Sequence, residues 1–176
     1  MKKEYLDVVD GNDRIVGRAL RKECHGNPAL RHRSVNVFMM NLLGDILLVK
    51  RAKKLDTDPG KWSPVIGEHL KQGEDYETAA KRGLKEELGI RSVAVKKMST
   101  ISFINDFQSE FLVNFIAIYD SDITNLDIDR NEVDAVRWIF IKDLKKEIAV
   151  DKKGFISYIE YSMKQLVEYL EFDSKL

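Results

Sequence analysis

A single cysteine, Cys24, leaves nothing for an internal disulfide framework or a four-cysteine metal knot. A reducing, cytoplasmic setting is the expectation that follows. Charge of one sign is also missing: the formal net charge is zero, and the 29 basic residues are scattered instead of gathered into a block. A broad phosphate-neutralising surface for a nucleic-acid polymer is therefore disfavoured, whereas a small phosphate pocket needs only a few local cations. Long apolar runs are absent. VNVFMMNLL at 35–43 is too short to cross a bilayer and reads as a core strand, and MKKEYLDVVDGNDR at the N-terminus lacks the apolar stretch of a secretory signal. No membrane partner is expected. Neither a repeat nor a low-complexity linker interrupts the 176 residues, a length suited to one domain over 1–176 with a core of its own.

What is present alternates strands and helices. Segments 4–8 and 14–20 flank a Gly11-Asn12-Asp13 turn and predict an N-terminal hairpin over 4–20, followed by a less regular stretch from Arg21 to Arg31. SVNVFMMN and ILLVKR predict two strands joined tightly at Leu43-Gly44-Asp45. After the polar loop 52–61, WSPVIG predicts a short edge-like strand, since Pro64 cannot donate to a ladder. Strands are expected in VAVKKMSTISF, SEFLVNFIAIYD and AVRWIFI. A short helix is expected in KDLKKEI, and a terminal amphipathic helix over about 155–172 with Phe155, Ile159, Met163, Leu166, Val167 and Leu170 on its packed stripe. The order implies an α/β or α+β sandwich, a mixed central sheet flanked by helices.

The helix expected from about Asp75 to Leu88 carries the chemistry. Tyr76, Ala80, Leu84 and Leu88 fall four apart on one side, and Gly89 is placed to end the helix as a left-handed cap. Glu86 and Glu87 are adjacent, about 100° apart around the axis, and two close carboxylates favour a divalent cation or an arginine beside them. Magnesium suits oxygen ligands and a phosphate-bearing substrate, with manganese as its alternative. Surface charge explains such a pair equally well.

GEHLKQGEDYETAAKRGLKEELGI, residues 67–90, resembles the loop-helix-loop signature of the Nudix hydrolase superfamily, whose usual form is G-x5-E-x7-R-E-U-x-E-E-x-G-U with U aliphatic. Glu74, Arg82, Leu84, Glu86, Glu87, Gly89 and Ile90 match it. Glu68 stands where the opening glycine belongs, and Gly83 stands where the first metal-binding glutamate belongs. The resemblance implies a Nudix-type sandwich, with Glu87 and Glu86 as metal ligands and Arg82 as the residue that orients the carboxylates. Gly83 costs about 1 kcal/mol of helix propensity and removes one anionic ligand, for which Glu68 and Glu110 are the candidate replacements.

His25, His32 and His69 are the only histidines, and no pair has the i, i+4 spacing of a shared helix face. With the N-terminal segment, GKWSP and the 67–90 box, they resemble the branch of the superfamily that contains type I isopentenyl-diphosphate isomerases and hydrolase-like relatives. That resemblance implies that the three histidines hold a divalent metal and that Glu110 is the catalytic glutamate, while Gln108 stands in place of another acidic ligand. The isomerase cysteine is replaced by Gly67, which has no proton to transfer.

The leading expectation is a magnesium-dependent hydrolase acting on the diphosphate linkage of a small organic or nucleoside diphosphate derivative. Glu86, Glu87, Glu110 and Arg82 are its catalytic set. Glu87, Glu86, Glu68, His25, His32 and His69 are its metal ligands, and Arg51 is its phosphate-binding cation. An isomerase-like enzyme and a non-catalytic diphosphate-binding or protein-interaction module are the alternatives. Homodimerisation through the terminal helix stays open.

Overall fold

The computed structural model describes residues 4–173, so both ends of the expected 1–176 span lie outside it. Strands β1 (Tyr5–Val9) and β2 (Ile15–Leu20) form the N-terminal hairpin, a two-stranded sheet apart from the main one. A one-turn helix, α1 (Arg21–Cys24), follows it and ends at His25. Leu6, Val8, Ala19 and Cys24 bury together beneath it.

The main sheet has seven strands: β3 (His32–Met40), β4 (Asp45–Arg51), β5 (Trp62–Ser63), β6 (Val65–His69), β7 (Val95–Ile104), β8 (Ser109–Ile118) and β9 (Val133–Phe140). It is mixed. Strand β3 runs parallel to β8, and the other pairings are antiparallel.

Two expectations change here. The tight β3–β4 connection forms, with Gly44 at φ 84°, but the two strands pair only at Met40 and Ile46 before they diverge. The 62–67 segment, expected at an edge, instead fills the gap as part of a stretch that runs on to His69: Trp62 and Ser63 pair with β4, and after Pro64 the chain changes partner and pairs with β3. Proline's missing N–H falls where no ladder bond is needed.

Helix α2 (Tyr76–Leu88) covers one face of the sheet. Asp75 caps it by accepting from the Thr78 N–H at 2.9 Å, and Gly89 closes it at φ 70°. Ala79, Ala80, Leu84 and Leu88 pack there against Val35, Val37, Ile66, Val113 and Phe115. Helices α3 (Ile141–Val150) and α4 (Ile159–Asp173) cover the opposite face, over Phe38, Ile46, Leu48, Val65 and Ile116.

The terminal helix starts later than expected. Phe155 is buried, but it sits ahead of α4 in an extended segment where the Ile156 N–H donates to the Trp62 carbonyl at 3.0 Å. No helix among the described residues is long and apolar enough to cross a membrane.

Candidate metal centre and acidic helix

Three neighbouring strands build the first group. His32 on β3 stands opposite Glu110 on the parallel β8, and Ser34, two residues further along β3, stands opposite His69 on β6. Residues two apart share a face of a strand. These side chains therefore converge beyond the end of the apolar layer under α4. The cap residue of α1 brings in His25 from the hairpin side.

His25, His32, His69 and Glu110 each offer a ligand atom, and these atoms lie within 4.8 Å of one another. The Nε2 atoms of His25 and His69 are 3.0 Å apart. His32 Nε2 approaches Glu110 Oε1 at 3.4 Å without hydrogen-bond geometry, and it has no other partner. A partnerless nitrogen on a fully buried ring costs stability unless something else satisfies it. A divalent cation bound by three imidazoles and a carboxylate would do so, and the residues present fit one.

Electrostatics favour the same reading. Burial above all, then the Arg21 charge and His32, lowers the His25 pKa to about 4. Burial likewise holds His69 well below the ordinary imidazole range. Neutral rings keep a lone pair for a metal. Burial alone would raise the Glu110 carboxyl, but the contacts of His32, His69 and the Ser34 hydroxyl outweigh it and keep the group ionised. Ser34 donates to one carboxylate oxygen, and the Gln108 amide donates to the other at 2.6 Å. Gln108 thus braces Glu110 from the position where the isomerase resemblance implies another acidic ligand.

Helix α2 carries the second group. The Arg82 guanidinium grips Glu74 through two hydrogen bonds, from Nε to Oε1 at 2.8 Å and from Nη2 to Oε2 at 3.0 Å. It also donates to Glu68 at 2.8 Å, Glu86 at 3.1 Å and the His69 carbonyl at 2.8 Å. Arg82 therefore ties α2 to β6 and to the loop before the helix. Glu86 and Glu87 diverge: Glu86 is exposed and also paired with Lys71 at 3.1 Å, whereas Glu87 is half-buried and points inward. Burial first, then the negative charges of Glu68 and Glu132, raises the Glu87 carboxyl well above its usual range.

The two groups lie on opposite faces of β6, since adjacent strand residues point opposite ways. Glu68 faces α2, and His69 faces the histidine group. Gly67 shares the His69 face and, having no side chain, brings no proton-transferring group there; an added Cβ would lie 3.3 Å from Asn36 Oδ1. Arg51 binds the Thr57 carbonyl from Nε at 3.0 Å and from Nη2 at 2.8 Å, bracing the 52–61 loop, while its charge acts on Glu87 and Glu132. Ser34 is the residue of the histidine group that the sequence did not single out. Ser34 carried the available signal of sharing a face with His32.

Comparisons with known proteins agree with this architecture. The NUDIX domain family model matches residues 30–159. A Nudix hydrolase of Deinococcus radiodurans is 31% identical, over 83% of this chain and 84% of its own length. Isopentenyl-diphosphate Delta-isomerase 2 of Photorhabdus laumondii is 32% identical, over 81% and 80% respectively. The crystal structure of DR0079 from Deinococcus radiodurans superposes with a TM-score of 0.74 over 92% of this chain and 98% of that one, at 23% identity, and shares the fold. The chain belongs to the Nudix family.

Proposed function

We propose that the divalent cation this enzyme requires is held by His25, His32, His69 and Glu110, and that the acidic rim of α2 holds the diphosphate end of the substrate through magnesium or manganese. The reaction is metal-dependent hydrolysis of a diphosphate linkage in a small organic or nucleoside diphosphate. Imidazole-rich donor sets suit the softer divalent metals, whereas carboxylate rims suit magnesium together with substrate phosphates. The observation that carries this reading is the buried, partnerless His32 Nε2 among converging ligand atoms.

When bound, a divalent cation neutralises diphosphate charge and polarises the P–O bonds under attack. The chain's own residues do the rest. Glu110, kept ionised, and the neutral His25 and His69 rings present lone pairs on one side of β6. Glu87, whose carboxyl is raised by burial and by the charges of Glu68 and Glu132, would be returned to its ionised form by a bound cation, and in that form orients the attacking water. Arg82 holds the carboxylates of α2 in register, and Glu86 anchors that network at the surface. Arg51 directs positive charge towards Glu87 and the incoming phosphates. Gly67 brings no proton-transfer group to the histidine face, which favours hydrolysis over isomerisation. The substrate on this reading is a small molecule and not a nucleic-acid polymer, and the lone, buried Cys24 suits a reducing, cytoplasmic setting.

The test is phosphate release, followed by phosphorus NMR, from a panel of organic and nucleoside diphosphates. Chelator-stripped protein is resupplied with magnesium, manganese or zinc. Metal-dependent release that is lost in Glu87→Gln is the expected result. No release with any metal would end the reading.

A further inference from the structure

Gly83 lies in the middle of α2 and is fully covered, where a glycine is costly and no turn requires one. The covering group is Glu68. A Cβ built on Gly83 would lie 2.6 Å from Glu68 Cγ and 3.6 Å from its Cδ, with Ile66 Cγ2 at 3.4 Å. The space that a side chain at 83 would leave by is thus filled by a carboxylate arriving from β6. That carboxylate does not swing freely, because Arg82 holds Glu68 Oε2 at 2.8 Å. Arg82 also fixes Glu74, so the position of Glu68 is set by the same guanidinium that sets the helix. Glu87 lies four residues after Gly83, one turn along the same face of α2, so Glu68 arrives over the turn that precedes it; the charge of Glu68 helps raise the Glu87 carboxyl, which has no hydrogen-bond partner of its own among the described side chains.

We propose that Glu68 is the working partner of Glu87 in the reaction: a carboxylate carried by strand β6 and admitted to the rim of α2 by the absence of a side chain at Gly83. Glu68 and Gly83 then form one unit. A side chain at 83 displaces Glu68, and loss of Glu68 leaves a hole that a longer residue at 83 can fill. Two carboxylates reaching one turn of α2, only one of them paired with an arginine, match the one or two protein ligands that a magnesium–diphosphate complex takes. The inference rests on the hydrolase reading above and adds which residue completes the acidic rim.

Manganese binding to chelator-stripped full-length protein in the presence of inorganic diphosphate, measured by electron paramagnetic resonance, tests it without relying on turnover. The Glu68→Gln variant keeps an oxygen for Arg82 but loses the charge. It is expected to unfold at the wild-type temperature and to weaken the rim class of manganese sites at least about tenfold, as does Glu87→Gln, while the histidine class is unchanged. Gly83→Ala should weaken that class in wild type and have no further effect on it in the Glu68→Gln background. The exchanged pair Glu68→Gly with Gly83→Glu should recover affinity that Glu68→Gly alone has lost. Wild-type manganese affinity in Glu68→Gln, or no recovery in a folded exchanged pair, would overturn the proposal. Absence of metal-dependent phosphate release by the wild type itself would instead count against the hydrolase reading.

Discussion

Arg82 and Glu74 meet through two nearly equal hydrogen bonds, 2.8 and 3.0 Å, and both side chains are largely withdrawn from solvent. The planar fork of arginine makes that contact, and a lysine cannot reproduce it. Because the same guanidinium reaches Glu68, Glu86 and the His69 carbonyl, it holds helix, loop and strand together. Arg82→Lys should destabilise the fold by about 2–3 kcal/mol, since buried acceptors lose their donors. Chemical denaturation measures this, and a loss below about 0.5 kcal/mol would show that the contacts are dispensable.

His32 should trade stability for metal. Its Nε2 is buried without a partner, and its Nδ1 lies 3.4 Å from the Leu30 carbonyl. In chelated protein, His32→Leu should change stability by no more than about 1 kcal/mol, because removal of a poorly satisfied polar atom offsets the contact that Glu110 loses. The same variant should lose the rise in melting temperature that manganese or zinc gives the wild type. Calorimetry with and without metal reads both effects, and a retained metal-induced rise would remove His32 from the ligand set.

The pH dependence follows from the lowered histidine values. Above the ordinary value of 6.5, His25 is neutral both folded and unfolded, so it has no effect on stability. Between 6.5 and about 4 the unfolded chain takes up a proton that the folded chain refuses, so stability falls as pH falls through that window. His69, lowered in the same direction by burial, adds to the loss. Because the raised Glu87, Glu68 and Glu132 carboxyls act in the opposite sense over the same range, the reading is a difference: metal-free wild type should lose melting temperature relative to His25→Gln from pH 6.5 down to 4. Melting curves in chelator across that range would contradict this if wild type and variant ran parallel.

The α2 unit was readable because its signals are local. Asp75 three residues before Thr78, Leu84 and Leu88 one turn apart, and Gly89 at the end all act within a few residues of one another. The histidine group is different. His25, His32 and His69 share no helical spacing, and they meet only because β3 lies between β6 and β8 in a particular register. Resemblance suggested the grouping; periodicity alone did not contain it. The splayed β3–β4 connection was invisible for a related reason, since the residues that separate the strands, Trp62 to His69, arrive from beyond a polar loop. Glu86 and Glu87 look alike in sequence, yet the helix turn between them sends one to Lys71 and solvent and the other inward towards Glu68.

The most direct test is a manganese anomalous-scattering map from crystals soaked at millimolar metal with inorganic diphosphate. The account predicts a peak about 2.0–2.3 Å from the ring nitrogens of His25, His32 and His69 and from a Glu110 oxygen, the range for nitrogen and oxygen donors to a small divalent ion. A map with no peak among those four side chains, in crystals whose diphosphate is visible, would contradict it.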